Sequence, residues 1–123
     1  YRQLELKKLD AAPENLDAKS DVLLADLDYM IVKADLDHVI ELQPGFVEAY
    51  FNRANVWVKL NDFKSAIVDY TKAISLNDRF AQAYYNRGLA KIYTGNIDGG
   101  VADLSKAGEL GMYQAYSVLK RFR

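Results

Sequence analysis

Residues 49–76 read AYFNRANVWVKLNDFKSAIVDYTKAISL, and residues 83–110 return to the same pattern 34 positions later as AYYNRGLAKIYTGNIDGGVADLSKAGEL. The two stretches share eight identities at matching points, which begin at Ala49-Tyr50 and end at Leu76. A weaker copy precedes them, because five residues between Asp28 and Phe46 recur at the same offset. A fixed period of this length is typical of proteins that stack one supersecondary unit many times.

Each copy has the pattern of two helices. Apolar residues recur every three or four positions, as from Phe63 to Tyr70, which predicts helices and not strands. Residues with N-capping chemistry, Asn61-Asp62 and Gly95-Asn96, precede the second helix of each copy. Pro44-Gly45 predicts the end of the helix before it. Two helices per 34 residues, joined by short turns, must form antiparallel hairpins that stack on one another.

The repeat resembles the tetratricopeptide repeat (TPR), whose pattern is W-x2-L-G-x2-Y, then A-x3-F, then P. The matching residues are Tyr50, Ala54, Ala66 and Tyr70 in one copy, and Tyr84, Gly88, Gly100 and Leu104 in the next. This resemblance implies an all-α, right-handed α-solenoid of antiparallel helix hairpins, with about two and a half repeats plus terminal helices. The run Tyr-x-Asn-Arg-[Ala/Gly] is similar to bacterial members of the family.

The 34-residue register divides residues 1–123, which we predict to be one domain, into four parts. These are a degenerate repeat (14–46), two repeats (47–80 and 81–114) and a C-terminal capping helix (112–123). The degenerate repeat is open to two interpretations, because its own apolar residues occupy most sides of the predicted helix. Either 14–28 form the first helix of a hairpin, or 20–42 form one long helix. Since the chain starts at Tyr1 and not at Met, we expect a fragment or a processed product, and no compartment is predicted.

Composition excludes several classes of function. The chain has no cysteine, which excludes disulfides and thiolate catalysis, and its net charge of −1 argues against a nucleic-acid partner. The longest uninterrupted apolar runs contain four residues, which excludes membrane insertion by these residues. The single histidine, His38, lies where later copies have Lys72 and Lys106, so we predict an exposed surface residue. We predict no enzyme, no metal site and no cofactor.

The resemblance implies a scaffold for protein–protein interaction that binds a peptide or a partner helix on its concave face. The residues predicted there are Phe51, Asn52, Asn55, Lys59, Gln82, Tyr85, Asn86, Leu89 and Tyr93. The alternative is a structural fragment of a longer solenoid, with no binding site of its own in this segment. Chaperone-binding members hold a C-terminal carboxylate with Lys and Asn side chains. Asp17, Asp21 and Phe51 stand at such positions here, which argues against that clamp.

Recurring charges and one pair of glycines yield further predictions. Aspartate recurs at 35, 69 and 103 and arginine at 53 and 87, which predicts ion pairs between helices. The pairs lie either within a repeat (Arg53–Asp69, Arg87–Asp103) or across a junction (Arg53–Asp35, Arg87–Asp69). Gly100 aligns with Ala66, so we expect alanine to fit there with little change in stability. Gly99 aligns with Ser65, and we expect Gly99→Ala to raise stability by ~0.5–1 kcal/mol.

Overall fold

The protein is described by a computed structural model that covers residues 17–122, with side chains from residue 24 onward. Its helices are α1 (Asp17–Leu42), α2 (Val47–Lys59), α3 (Phe63–Leu76), α4 (Ala81–Tyr93), α5 (Ile97–Glu109) and α6 (Gln114–Leu119), and a 3-10 turn (Lys120–Phe122) follows. Each helix packs against its neighbours in the chain, and the described residues contain no strand. The predicted all-α solenoid of helix hairpins is confirmed.

The helix ends follow the capping chemistry in the sequence. At the start of α3, the side chain of Asp62 accepts a hydrogen bond from the backbone N–H of Ser65 at 3.1 Å. At the start of α5, the side chain of Asn96 accepts one from Gly99 at 2.9 Å. The turn before each of these helices contains a residue with positive φ, Asn61 in one hairpin and Gly95 in the other. Both are residue types that tolerate the left-handed conformation, so each turn reverses the chain within three residues.

Two tyrosines fix the turns that precede α2 and α4. The hydroxyl of Tyr50 donates to the carbonyl oxygen of Pro44 at 2.8 Å, and the hydroxyl of Tyr84 donates to that of Asp78 at 3.0 Å. Both rings lie at the position where the family pattern has tryptophan. Each ring therefore packs within its hairpin, and its hydroxyl holds the turn before the first helix in place.

The segment before α2 is a single helix. Residues Asp17–Leu42 form one α-helix of 26 residues, so of the two interpretations the structure has the long helix. This helix ends at Leu42, directly before the Pro44-Gly45 turn. None of the helices between residues 17 and 122 is both long and apolar enough to cross a membrane.

The arginines at the repeat positions hold the hairpins together. Arg53 binds the carboxylate of Asp69 through two hydrogen bonds of 2.7 and 2.8 Å, and Arg87 binds Asp103 through two of 2.8 Å. Both aspartates are buried, so each guanidinium compensates a charge that water does not reach. The predicted ion pairs within the repeats are confirmed.

The contacts across the junctions differ from the predicted ones. Arg53 uses its remaining nitrogen, Nη1, to bind Asp37 at 2.9 Å and not Asp35, and Arg87 uses Nη1 to bind Thr71 at 3.1 Å. Asp37 and Thr71 are 34 residues apart and so occupy the same register. Asp35 precedes Asp37 by two residues, about 200° around the helix, and therefore lies on another face. Burial opposes ionisation of Asp37, but its hydrogen bonds to Lys33 and Arg53 outweigh this and lower its pKa.

Helices α4 and α5 approach each other at two glycines. A Cβ atom on Gly100 would lie 2.6 Å from the carbonyl oxygen of Gly88 and would overlap the side chain of Ile92. The expectation that alanine fits at Gly100 is therefore wrong. The same two positions hold Ala54 and Ala66 in the α2–α3 hairpin, and both are fully buried there. Alignment with Ala66 was misleading because the second hairpin uses glycine on both sides of the contact.

Candidate functional site

A groove lies between the first helices of the two repeats, α2 and α4. Its volume is about 310 Å³, and its lining is mostly apolar. The lining residues are Asn55, Val58, Lys59, Phe63, Tyr70, Asn86, Leu89, Ala90 and Tyr93. Five of them were predicted from the sequence: Asn55, Lys59, Asn86, Leu89 and Tyr93. This groove is the candidate functional site.

Three polar side chains are linked at the base of the groove. The hydroxyl of Tyr70 donates a short hydrogen bond to Oδ1 of Asn55, and Nδ2 of Asn86 donates to the same oxygen at 3.1 Å. Burial raises the pKa of Tyr70 to about 12, so its hydroxyl keeps its proton at neutral pH and stays a donor. The network holds two amides from successive repeats side by side.

Aromatic rings form one end of the groove. The rings of Phe63 and Tyr93 are stacked in parallel, with centroids 4.9 Å apart and 2° between their planes. Tyr93 is 75% exposed although it lies in this stack. Because α3 begins at Phe63 and α4 ends at Tyr93, the stack joins the two repeats at the groove's edge. The exposed side chain of Lys59 adds a positive charge beside it.

Four predicted residues lie outside the groove lining. The Phe51 ring packs on the Phe80 ring at 4.6 Å and contributes to the core around Ala54 and Tyr70. Tyr85 packs against the second core cluster, which contains Leu104. Asn52 and Gln82 are exposed. Helical periodicity placed all four residues on the first helices of the repeats, but it did not separate the groove from the packing beside it.

Sequence reasoning missed four residues that line the groove: Val58, Phe63, Tyr70 and Ala90. Tyr70 belongs to the second helix of its repeat, which the prediction assigned to the core. One signal was available, because a tyrosine at the usual phenylalanine position has a hydroxyl that requires a hydrogen-bond partner when buried. Asn55, on the first helix of the same repeat, supplies that partner.

A second cavity, of about 290 Å³, lies where α1 meets the first repeat. Charged groups in it bind one another: Nζ of Lys33 lies 2.7 Å from Asp37 and 5.0 Å from the centroid of the Trp57 ring. Arg53 completes this network through Asp37 and Asp69. The cavity is thus an ion-paired joint between helices. His38, on the same helix α1, is exposed as predicted and lies 3.6 Å from Glu41.

Comparison with known proteins agrees with this architecture. The tetratricopeptide repeat family model matches residues 47–80. The first TPR of Spaghetti (RPAP3), solved with the HSP90 peptide SRMEEVD, superposes with a TM-score of 0.74 at 22% identity, covering 86% of each chain. A crystal structure of MamA gives 0.68 at 25% identity, and MamA 41-end from Desulfovibrio magneticus RS-1 gives 0.70 at 25%. None of the curated proteins matches the chain in sequence.

The lengths of these chains differ. Both MamA matches cover 82% of this chain, but only 58% and 59% of the MamA chains. The present chain therefore spans less than two thirds of those relatives. At 22% identity, the likeness to Spaghetti shows a common fold alone. Residues 47–80 thus match the tetratricopeptide repeat family model, and the stacked hairpins of the described residues share the α-solenoid fold of these solved structures.

Proposed function

We propose that this protein is an interaction scaffold that binds an extended peptide in the groove between α2 and α4. The paired amides of Asn55 and Asn86 are the observation that supports this function. Nδ2 of Asn86 and Oδ1 of Asn55 lie 3.1 Å apart in a groove whose lining is mostly apolar, beside the hydroxyl of Tyr70. Protein interaction is the general role of tetratricopeptide repeats, and the first TPR of Spaghetti binds a peptide on the same fold.

The chemistry of the groove suits a peptide backbone. Because Oδ1 of Asn55 accepts from Tyr70 and Asn86, its Nδ2 group can donate to a peptide carbonyl. Oδ1 of Asn86 can accept from a peptide N–H in the same way. These contacts recognise the main chain and not a side chain, so they tolerate many peptide sequences.

Groove size and charge restrict the side chains of the peptide. A volume of about 310 Å³ is at the small end for ligand pockets, which favours one or two side chains over the whole face of a helix. Leu89 and the Phe63–Tyr93 stack provide apolar contact area, and Lys59 provides a positive charge beside it. We therefore propose a peptide with an apolar side chain next to an acidic one.

Two exposed tyrosines allow a matched test. Peptides would be selected from a displayed random library, and their affinities measured by fluorescence anisotropy for the wild type and two variants. Tyr93→Ala removes a groove ring that is 75% exposed, whereas Tyr113→Ala removes a ring that is 73% exposed and outside the groove. We expect Tyr93→Ala to weaken binding about tenfold, the loss typical of an aromatic anchor, and Tyr113→Ala to leave it unchanged.

Two results would contradict the proposal. Equal affinities for both variants would show that the selected peptides bind elsewhere on the solenoid. If the library yields no peptide that binds, the alternative is favoured, in which this segment only continues a longer solenoid and has no binding site of its own.

A further inference from the structure

The polar network at the base of the groove has no counterpart in the second repeat. In the 34-residue register, Asn55 and Tyr70 correspond to Leu89 and Leu104. Leu104 is fully buried, and Leu89 packs against the core cluster that contains it. Two leucines therefore stand in the second hairpin where an asparagine and a tyrosine meet in the first. Since a hairpin packs without this polar pair, the pair points to a role in the groove that it lines.

The proton of the Tyr70 hydroxyl sets the orientation of the Asn55 amide. Tyr70 is 1% exposed, so the acceptor for that proton has to come from the protein. Oδ1 of Asn55 is that acceptor. If the Asn55 amide were turned over, its NH2 group would face the hydroxyl, and the phenol proton would lose its acceptor. The Asn55 oxygen is therefore held at the base of the groove.

The Asn55 oxygen in turn sets the orientation of the Asn86 amide. Nδ2 of Asn86 donates to Oδ1 of Asn55 at 3.1 Å, and a turned Asn86 amide would place two oxygens against each other. Nδ2 of Asn55 and Oδ1 of Asn86 then have no hydrogen-bond partner in the described part of the chain. None of its buried side-chain N or O atoms is unpaired, so both atoms are open to the groove.

We propose that Tyr70 makes the groove selective for a peptide residue with a backbone N–H, and so excludes proline at that point. The inference rests on the function proposed above. One residue of an extended peptide presents its N–H and its C=O on the same side. Its N–H donates to Oδ1 of Asn86 while its C=O accepts from Nδ2 of Asn55. Proline has no N–H and would leave Oδ1 of Asn86 without a donor. Tyr70 acts on the peptide through Asn55 and is thus a positioning residue.

The substitution Tyr70→Phe should relax this selectivity. The family pattern has phenylalanine at this position, so the variant keeps the ring that packs in the core and removes only the proton that holds the Asn55 amide. The two amides can then turn over together, with Nδ2 of Asn55 donating to Oδ1 of Asn86. The groove then presents Nδ2 of Asn86, a donor, where the natural groove presents an acceptor.

Amide-to-ester replacement in a bound peptide measures this contact. The probe is a peptide from the random-library selection described above whose affinity falls with Tyr93→Ala, because that dependence shows binding in the groove. Each backbone amide of the peptide is replaced in turn by an ester, which exchanges one N–H donor for an oxygen acceptor. Fluorescence anisotropy gives the dissociation constant of each ester for the wild type, Tyr70→Phe and Tyr50→Phe.

Tyr50→Phe is the matched control. The Tyr50 hydroxyl also donates a hydrogen bond, to the carbonyl oxygen of Pro44 at 2.8 Å, but Tyr50 lies outside the groove lining. Both variants lose one hydroxyl and one internal hydrogen bond, and only Tyr70→Phe releases the groove amides. We expect one ester position to weaken binding about tenfold in the wild type and in Tyr50→Phe, and about threefold or less in Tyr70→Phe.

The results distinguish this inference from the function on which it rests. Equal ester effects in the wild type and Tyr70→Phe would overturn the role of Tyr70, as would a peptide with no ester-sensitive position. In both cases, the dependence on Tyr93 would still support peptide binding in the groove. An equally reduced ester effect in Tyr50→Phe would show a consequence of lost stability alone and would also overturn the inference. If no selected peptide depends on Tyr93, the proposed function fails and the inference fails with it.

Discussion

The substitution Gly100→Ala measures how closely the helices of the second repeat approach. The new methyl group would lie 2.6 Å from the carbonyl oxygen of Gly88, a backbone atom that moves only with helix α4, and would overlap Ile92. Overpacking of this kind costs ~1–3 kcal/mol. Alanine is favoured over glycine in a helix by ~1 kcal/mol, which offsets part of that cost. Because the backbone oxygen of Gly88 cannot move alone, the cost lies in the upper part of this range, and we expect a net loss of about 1–2 kcal/mol in the free energy of unfolding.

Urea unfolding followed by circular dichroism measures this loss. With a denaturant slope of about 2 kcal/mol per M, the midpoint should fall by about 0.5–1 M. Gly45→Ala is the matched control, because a Cβ atom there has no neighbour within 4 Å, and its midpoint should stay close to that of the wild type. A Gly100→Ala midpoint at or above the wild-type value would refute the close approach of α4 and α5.

Three further predictions concern single groups. Arg87→Ala should destabilise the protein by about 2–3 kcal/mol, because buried Asp103 loses its bidentate partner but keeps Lys91, whose Nζ lies 3.0 Å away. A double-mutant cycle with Asp103→Asn that shows no coupling would contradict this. Gly99→Ala alone should change stability by less than ~0.5 kcal/mol, because its Cβ would lie within 2.9 Å of the capping Asn96 side chain. The gain expected from the sequence should emerge in the double variant with Asn96→Ser, whose shorter side chain still caps the helix, and calorimetry compares the two variants. The raised pKa of Tyr70 means that the folded state keeps a proton which the unfolded chain releases. Stability should therefore fall by about 2 kcal/mol as the pH rises from 10 to 12, and urea titrations of Tyr70→Phe should not show this loss.

The hairpins could be predicted from the sequence because local signals and the repeat agree there. Asp62 and Asn96 are good capping residues, each follows a residue that tolerates positive φ, and each precedes a helical apolar pattern. In α1 the same signals conflict. Asp28 lies in the capping register of Asp62, but Leu27 replaces the turn residues Asn61 and Gly95, so nothing in the sequence favours a reversal of the chain at that point. The continuous helix follows from that difference.

Part of the candidate groove escaped prediction for a geometric reason. Spacing along a helix shows which side chains share a face, and this was enough for Asn55, Asn86 and Tyr93. It does not show which neighbour from another helix closes that face. Tyr70 reaches the groove from α3 and binds Asn55, whereas Phe51 packs on Phe80 in the core, and both contacts join different helices. Contacts between helices depend on how the hairpins pack and cannot be predicted from the spacing within one repeat.

The ion-paired joint between α1 and the first repeat contains the protein's single tryptophan. Trp57 lies under the ammonium group of Lys33, at 5.0 Å, while the nine tyrosines are distributed over the whole chain. Its emission, excited at a wavelength where tyrosine does not absorb, therefore reports selectively on the docking of α1. Circular dichroism instead averages over every helix. If α1 separates from the hairpins before they unfold, the change in Trp57 emission should occur at a lower temperature than the change in circular dichroism. The natural chain therefore contains an optical probe of the contact between α1 and the first repeat.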